Sequence, residues 1–148
     1  KVSVIVVAAG TGSRFGYERN KLFYPLCGEP VLTHTLRNIF AARSVHEVVI
    51  VHSRVDEKEI RRLVDDLHPI QPVRYALGGA EREDSVYNGL MAVSRDVDVV
   101  MVHDGARAAQ RAQQAVGQHL VVFGDEDALG VLLEGLGPRQ HRRAHGRF

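Results

Sequence analysis

The stretch that decides the fold is residues 2–16, which read VSVIVVAAGTGSRFG. Apolar residues at successive positions predict a parallel strand that is buried on both faces, and we place it at Val2–Val7. A glycine-rich loop directly after such a strand exposes backbone N–H groups and lets a phosphate approach closely. The stretch therefore predicts the first strand of an α/β protein, with a loop after it that is either an anion-binding loop or an ordinary turn.

Strand and helix patterns alternate over the next ninety residues. The predicted strands are Val2–Val7, Glu47–His52, Pro72–Ala76 and Val97–Val102, and Leu120–Phe123 is a candidate for one more. Three helices lie between them; Pro30 opens the first, Asp56-x-x-Glu59 forms a capping box for the second, and Asp84 or Ser85 opens the third. This order predicts a Rossmann-like α/β fold with an open, mostly parallel sheet. Right-handed crossovers place the loops that follow the strands along one edge, where ligands bind in such sheets.

The composition excludes several classes of protein. With 148 residues, one domain is expected, and 19 basic against 18 acidic side chains leave a net charge of only +1. A nucleic-acid-binding role is therefore not expected, because it needs a broad positive field. The longest apolar run, Val4–Ala9, is far shorter than the roughly 20 residues that span a bilayer. Cys27 is a lone cysteine and we see no signal peptide, so we expect a cytoplasmic protein with no membrane role.

The glycine-rich loop fits neither of two common nucleotide motifs. No lysine follows a glycine at the position that a Walker loop requires, and the spacing G-x-G-x-x-x-G differs from that of dinucleotide-binding folds. The loop does carry Arg14 and, seven residues on, Lys21. Cations held there can stabilise the charge that develops in phosphoryl transfer. The alternative is that both are solvated loop charges.

Two further loops are candidates for chemistry. In residues 78–86, two glycines precede a helix start, again a loop-to-helix arrangement suited to anions, and Ser85 is either an N-cap or a hydroxyl that contacts a ligand. In residues 103–107, Asp104 follows the most apolar strand. A carboxylate at that position is either a magnesium ligand or a helix cap.

Four segments together resemble a known family. AAGTGSRFG (8–16), NKLFYPLCGEPVLTHTL (20–36), GGAEREDSVYNGL (78–90) and VHDGAR (102–107) resemble, in order and spacing, the 2-C-methyl-D-erythritol 4-phosphate cytidylyltransferases of the non-mevalonate isoprenoid pathway. The resemblance covers residues 2 to about 107. It implies transfer of the cytidylyl group from CTP to 2-C-methyl-D-erythritol 4-phosphate, with Mg²⁺ or another divalent cation as cofactor. The products would be 4-diphosphocytidyl-2-C-methylerythritol and pyrophosphate.

The resemblance also implies roles for individual residues. The expected catalytic pair, which holds the triphosphate, is Arg14 and Lys21. The expected nucleotide-binding residues are Ala8, Ala9, Gly10, Thr11 and Gly12 in the first loop and Gly79, Arg82 and Ser85 in the second. Asp104 is the expected metal ligand and, with Arg107, lies on the acceptor side.

The sequence departs from the family after Arg107. The family continues with Asp-Thr and Thr-Pro-Gln motifs and a dimerising arm, and residues 108–148 contain neither motif. We therefore expect a nucleotidyltransferase core with the CTP-binding half in residues 1–107 and a divergent, partly disordered tail in 108–148. The chain would be truncated on its C-terminal side and lack the arm through which the family forms homodimers. Two alternative functions stay open: a cytidylyltransferase for another polyol phosphate such as ribitol 5-phosphate, and a non-catalytic CTP-binding fragment.

Overall fold

The computed structural model describes residues 1–10 and 20–105, together with the backbone of residues 120–123. In chain order the strands are β1 (Val2–Val7), β2 (Pro25–Leu26), β3 (Glu29–Pro30), β4 (Glu47–His52), β5 (Val73–Leu77), β6 (Val99–Asp104) and β7 (Leu120–Phe123). The helices are a 3-10 helix (Lys21–Phe23), α1 (Val31–Ala41), α2 (Glu57–Leu67) and α3 (Arg82–Ala92). The predicted domain boundary at residue 107 and most of the predicted tail lie outside the described residues.

Five strands form the main sheet in the order β5-β4-β1-β6-β7. The pairs β5–β4, β4–β1 and β1–β6 are parallel, and β7 runs antiparallel to β6. The predicted Rossmann-like, mostly parallel α/β sheet is therefore confirmed. Strands β2 and β3 form a separate small hairpin whose turn holds Cys27 and Gly28, both with positive φ.

Side chains of β1 and β4 alternate between two hydrophobic clusters, one on each face of the sheet. On one face Val4, Val6 and Ile50 pack with buried residues of α1 and α2. On the other face Ile5 and Val49 pack with a cluster that includes Val86 and Leu90 of α3. Because both faces are covered, the two central strands are continuous apolar runs rather than alternating ones, which is why the sequence predicted them without error.

Helix α3 lies close to the sheet because the residue of α3 that faces the sheet is Gly89. A β-carbon at Gly89 would lie 2.7 Å from Cγ2 of Ile5 and 2.9 Å from Cγ2 of Val51. The absent side chain lets the helix backbone approach the two central strands. Sequence reasoning did not single out Gly89, since a glycine inside a helix pattern is normally only a weak position.

The predicted capping box of α2 is wrong. Asp56 is the N-cap residue, but its side chain makes no cap hydrogen bond. Its carboxylate instead accepts hydrogen bonds from Nδ2 of Asn20 (3.0 Å) and the Ser53 hydroxyl (2.6 Å). Asn20, 36 residues away in the chain, thus binds the carboxylate that the sequence pattern had assigned to capping α2.

Three element boundaries also differ from those predicted. Helix α1 begins at Val31, and Pro30 is its N-cap residue rather than its first helical residue. Strand β5 begins at Val73, one residue later than predicted, and β6 spans Val99–Asp104, two residues later at both ends. The pairing of β6 with β1, from Val99 beside Val2 to Asp104 beside Val7, sets its position. Among the described residues, no helix is long and apolar enough to span a bilayer.

A buried carboxylate ties three elements together at the opposite edge of the sheet from the glycine-rich loops. Glu47, only 4% exposed, accepts hydrogen bonds from the Ser3 hydroxyl (3.0 Å) and from the backbone N–H (3.1 Å) and hydroxyl of Ser94. Arg74 adds an ion pair at 3.0 Å. Burial by itself would raise the pKa of Glu47, but the hydrogen bonds from Ser94 and Ser3 and the charge of Arg74 together hold its pKa below the ordinary value.

We predict that Glu47→Gln lowers the free energy of unfolding by about 1–3 kcal/mol at pH 7, because charge-assisted hydrogen bonds are lost in a buried setting. A carboxyl whose pKa is lowered on folding contributes stability above its unfolded pKa, near 4.5, and this contribution is lost as the pH falls through the lowered value. The stability of the variant should therefore depend less on pH below about 5 than that of the native chain. Urea unfolding between pH 3 and 7 measures both effects. Glu57→Gln is the control, since Glu57 is a partly exposed residue of α2 that pairs with Arg61 on the same helix. An equal loss in both variants would contradict the assignment.

Candidate functional site

The glycine-rich loops converge at one edge of the sheet because their strands are parallel. Strand β1 leads into Ala8–Gly10, β5 leads into Gly78, and β6 ends at Asp104. Val7 is paired with Asp104 on one side and with Val51 on the other. The chain places β4 and β5 on one side of β1 and β6 on the other, so the order of strands reverses at β1. A ligand crevice is expected at such a switch point.

The first loop begins at a buried, fully hydrogen-bonded residue. The backbone N–H of Ala8 donates to the carbonyl of Val51 (2.7 Å), and the carbonyl of Ala8 accepts from Nδ2 of Asn20 (3.1 Å). Gly10, by contrast, is exposed, and a β-carbon there would meet nothing within 4 Å. Within two residues, the loop thus changes from Ala8, which is held by hydrogen bonds, to Gly10, which is open to solvent. Thr11, Gly12 and Arg14 lie outside the described residues.

Lys21 is the first residue of the 3-10 helix. Asn20 caps this helix, because its Oδ1 accepts the backbone N–H of Leu22 at 3.2 Å. Leu22 and Phe23 are buried and hold the helix against the core, whereas Lys21 is exposed. The helix therefore presents a lysine to solvent on a backbone that is fixed on both sides. Sequence reasoning identified Lys21 but missed Asn20, for which the only local signal is an asparagine preceding a helical turn.

In the second loop, Gly78 and Gly79 lie in contacts that are too close for a residue with a side chain. A β-carbon at Gly78 would lie 2.2 Å from Cβ of Ala9, and one at Gly79 would lie 2.2 Å from Cβ of Asp84. The Ser85 hydroxyl accepts the N–H of Gly79 (3.1 Å) and donates to the carbonyl of Glu81 (3.2 Å). The first and second loops are thus in direct contact through Ala9 and Gly78.

The predicted start of α3 is wrong. The N-cap residue is Glu81, and helix α3 begins at Arg82. Glu81 and Asp84 form a reciprocal capping box, in which each carboxylate accepts the other residue's backbone N–H. Ser85 lies inside the helix and is 3% exposed. Because two carboxylates already occupy the positive end of α3, this terminus does not favour a phosphate.

Asp104 is the last residue of β6, and three elements hold the turn that follows it at Gly105. The N–H of Gly105 donates to the carbonyl of Val7 (3.1 Å), and the buried hydroxyl of Thr35 in α1 donates to the carbonyl of Gly105 (2.9 Å). A β-carbon at Gly105 would lie 3.1 Å from Cδ2 of Leu22. An alanine at this position would therefore require Leu22 to shift by a few tenths of an ångström. This contact also places the Asp104 turn next to the helix that carries Lys21.

The structure therefore brings together Lys21, Asp104 and the start of the first loop at the end of β1. Gly79 lies in the second loop, next to the contact between Gly78 and Ala9, and Ser85 and the exposed Arg82 lie in the first turn of α3. No group of three or more His, Cys, Asp or Glu side chains that could hold a metal occurs in the described part of the chain. Arg107 lies outside that part.

The parallel sheet, the helices on both faces and the loops that meet at β1 define an α/β fold of the nucleotidyltransferase type. The chain belongs to the 2-C-methyl-D-erythritol 4-phosphate cytidylyltransferase (IspD) family, whose sequence model matches residues 2–132. The resemblance recognised up to about residue 107 is thus confirmed, and the family match extends beyond it.

Individual relatives agree with this assignment. The chain is 43% identical over 104 residues to 2-C-methyl-D-erythritol 4-phosphate cytidylyltransferase of Synechococcus elongatus, a match that covers 70% of this chain and 45% of the relative. It is 45% identical over 108 residues to the enzyme of the same name from Pelotomaculum thermopropionicum, with 72% and 45% covered. The chain thus spans less than half the length of the curated relatives it matches.

Solved structures give the same result for the fold. The crystal structure of 4-diphosphocytidyl-2C-methyl-D-erythritol synthase from Anaerococcus prevotii superposes with a TM-score of 0.62 at 30% identity, covering 72% of this chain and 44% of that one. The bifunctional IspDF from Campylobacter jejuni superposes with a TM-score of 0.59 at 23% identity, covering 73% and 27%, and supports the fold alone.

The contact between the two loops generates a prediction about Gly78. We expect Gly78→Ala to lower the free energy of unfolding by about 1–3 kcal/mol, because the added methyl group collides with Ala9. Ala9→Gly alone should also destabilise, by about 0.4–1 kcal/mol, through the greater freedom of the unfolded chain. Added to Gly78→Ala, however, Ala9→Gly should raise stability, since it removes the colliding atom. Urea unfolding of the two single variants and the double variant measures this reversal of sign, and simple additivity of the two losses would contradict it.

Proposed function

We propose that this chain supplies the nucleotide-binding part of an enzyme that transfers the cytidylyl group from CTP to 2-C-methyl-D-erythritol 4-phosphate. The products are 4-diphosphocytidyl-2-C-methylerythritol and pyrophosphate. The observation that carries the proposal is that the lysine-bearing 3-10 helix and the Asp104 turn are both fixed to the carboxyl end of β1, through Ala8 and Val7. Membership of the family supplies the reaction.

The reaction asks the protein for position and charge rather than for covalent chemistry. A phosphate oxygen of the acceptor attacks the α-phosphorus of CTP in line, a P–O bond forms, and the bond to pyrophosphate breaks. Negative charge grows on the bridging and leaving oxygens. We assign Lys21, together with Arg14, to neutralise that charge; Lys21 suits the role because its side chain is exposed while its backbone is held.

The nucleotide would lie across the two loops. We assign the backbone of Ala8, Ala9, Gly10, Thr11 and Gly12 to wrap the triphosphate and ribose, and Gly79, Arg82 and Ser85 to read cytosine and ribose. The open space at Gly10 supports the first assignment. The capping carboxylates support the second, since they make the start of α3 better suited to a neutral base than to a phosphate. Ser85 has one acceptor lone pair left after its two internal hydrogen bonds.

Asp104 suits a magnesium ion that is held mainly by substrate. Mg²⁺ keeps several waters and is commonly bound through one or two carboxylates plus substrate phosphates, so a single half-buried aspartate is a sufficient protein contribution. When bound, such an ion would neutralise charge on the phosphates. We place the acceptor phosphate beside Asp104 and Arg107, and we expect the intact enzyme to be cytoplasmic and homodimeric, as the family suggests.

Lys21→Ala tests the proposal. We expect it to lower kcat for cytidylyl transfer by 100-fold or more, equivalent to about 2.7 kcal/mol or more of transition-state stabilisation. Phosphorus NMR of the chain with CTP, 2-C-methyl-D-erythritol 4-phosphate and Mg²⁺ follows the diphosphocytidyl product and pyrophosphate directly. Lys58→Ala, which removes an exposed lysine from α2, is the matched control and should leave the rate unchanged.

Three other outcomes would contradict the proposed reaction or the proposed substrate. Binding of CTP, measured by calorimetry, without product would favour a non-catalytic CTP-binding piece. Faster transfer to ribitol 5-phosphate would favour a cytidylyltransferase for another polyol phosphate. Absence of both CTP binding and transfer would overturn the proposal.

A further inference from the structure

We infer that Asn20 is a positioning residue that couples Lys21 to the origin of the first loop, and that Ser53 and Asp56 hold Asn20 in place. The inference rests on the proposed function, because it assigns Asn20 a part in the transfer reaction through Lys21.

Asn20 uses every hydrogen-bonding group of its carboxamide on a different element, apart from one acceptor lone pair. Its Nδ2 donates to the carbonyl of Ala8 (3.1 Å) and to the carboxylate of Asp56 (3.0 Å). Its Oδ1 accepts the backbone N–H of Leu22 (3.2 Å). The side chain is 7% exposed, so these hydrogen bonds do not compete with bulk water.

The three partners define what Asn20 does. The bond to Ala8 fixes it to the last buried residue before the glycine-rich loop opens. The bond to Leu22 begins the 3-10 helix whose first residue is Lys21. One planar amide thus sets the distance between the backbone that would cradle the triphosphate and the backbone that carries the lysine.

Asp56 and Ser53 fix the orientation of that amide. The carboxylate of Asp56 accepts from Asn20 and also from the Ser53 hydroxyl (2.6 Å), whose oxygen in turn accepts the backbone N–H of Asp56 (3.3 Å). Because a carboxylate accepts only, the side facing Asp56 must be the NH₂ group of Asn20. The hydrogen bonds from Asn20 and Ser53 to Asp56 therefore fix the orientation of the amide, with its NH₂ group toward Ala8 and its oxygen toward Leu22.

A purely structural role and a positioning role make different predictions for Asn20→Asp. The change keeps the size of the side chain and an acceptor for Leu22, but it removes both donors and places a second carboxylate beside Asp56. If Asn20 acts through Lys21, kcat should fall about 10- to 100-fold with a smaller change in KM for CTP. In a Lys21→Ala background the same change should alter kcat less than threefold, since the group it positions is gone. Asn38→Asp, on the exposed face of α1, controls for the added charge.

The exchange Asn20→Asp/Asp56→Asn separates stability from position. It restores a donor–acceptor pair between residues 20 and 56, but it leaves the carbonyl of Ala8 without its donor. Relative to Asn20→Asp alone, we expect the free energy of unfolding to recover in part while kcat stays low. Recovery of kcat together with stability would show that Asn20 only supports the fold and would overturn the inference. Ser53→Ala, a milder change, should lower kcat about threefold in the native background and have no effect in the Lys21→Ala background.

The controls distinguish this inference from the proposed function. If the native chain transfers the cytidylyl group and Asn20→Asp has the same effect with and without Lys21, the inference alone fails. If the native chain binds CTP without transfer, the same double-mutant cycle is measured on the Kd for CTP, with the same non-additivity expected. If the native chain neither binds CTP nor transfers, the proposed function fails and this inference fails with it.

Discussion

The site depends on how the carboxyl end of β1 is hydrogen-bonded. The carbonyl of Val7 accepts the N–H of Gly105, the N–H of Ala8 donates to β4, and the carbonyl of Ala8 accepts from Asn20. Two adjacent residues of one buried strand therefore hold the turn of Asp104, the neighbouring strand and the helix of Lys21. Their burial removes competing water, and the parallel pairing on both sides of β1 leaves the strand no freedom to shift along the sheet.

Small residues bring the remaining elements within reach of that strand end. Ala9 fits against Gly78 only because neither residue carries more than a methyl group, and Gly89 lets α3 approach Ile5 in β1. The first contact holds the loop that leads into α3, and the second holds α3 itself, whose first turn carries Arg82 and Ser85. The close approach of backbone to backbone explains why the second loop lies beside the first, although 68 residues lie between Ala9 and Gly78 in the chain.

The sequence allowed the sheet and the position of the loops at its edge to be predicted, because both depend on local pattern. β1 and β4 are runs of β-branched residues buried on both faces, and glycines mark the loops that follow β1 and β5. The predictions failed where a polar side chain has a distant partner. Asp56 was assigned to its own helix, yet Asn20 and Ser53 occupy its carboxylate. Asp84 or Ser85 was predicted to open α3, yet the Ser85 hydroxyl bonds Gly79 and Glu81 inside a helix that begins at Arg82.

Asn20 could not have been found from sequence for the same reason. Its partners Ala8 and Asp56 lie 12 and 36 residues away, and only the fold brings them to one point. The distribution of charged side chains between the two loops also depends on the fold. A chain of net charge +1 has no general attraction for polyphosphate, so the proposed binding of CTP must depend on a few locally placed cations. The end of β1 meets that requirement with Lys21, whereas the start of α3 is flanked by its own capping carboxylates. The two loops therefore differ in electrostatic character. Under the proposed function, that difference favours the triphosphate on the β1 side and the uncharged base on the α3 side.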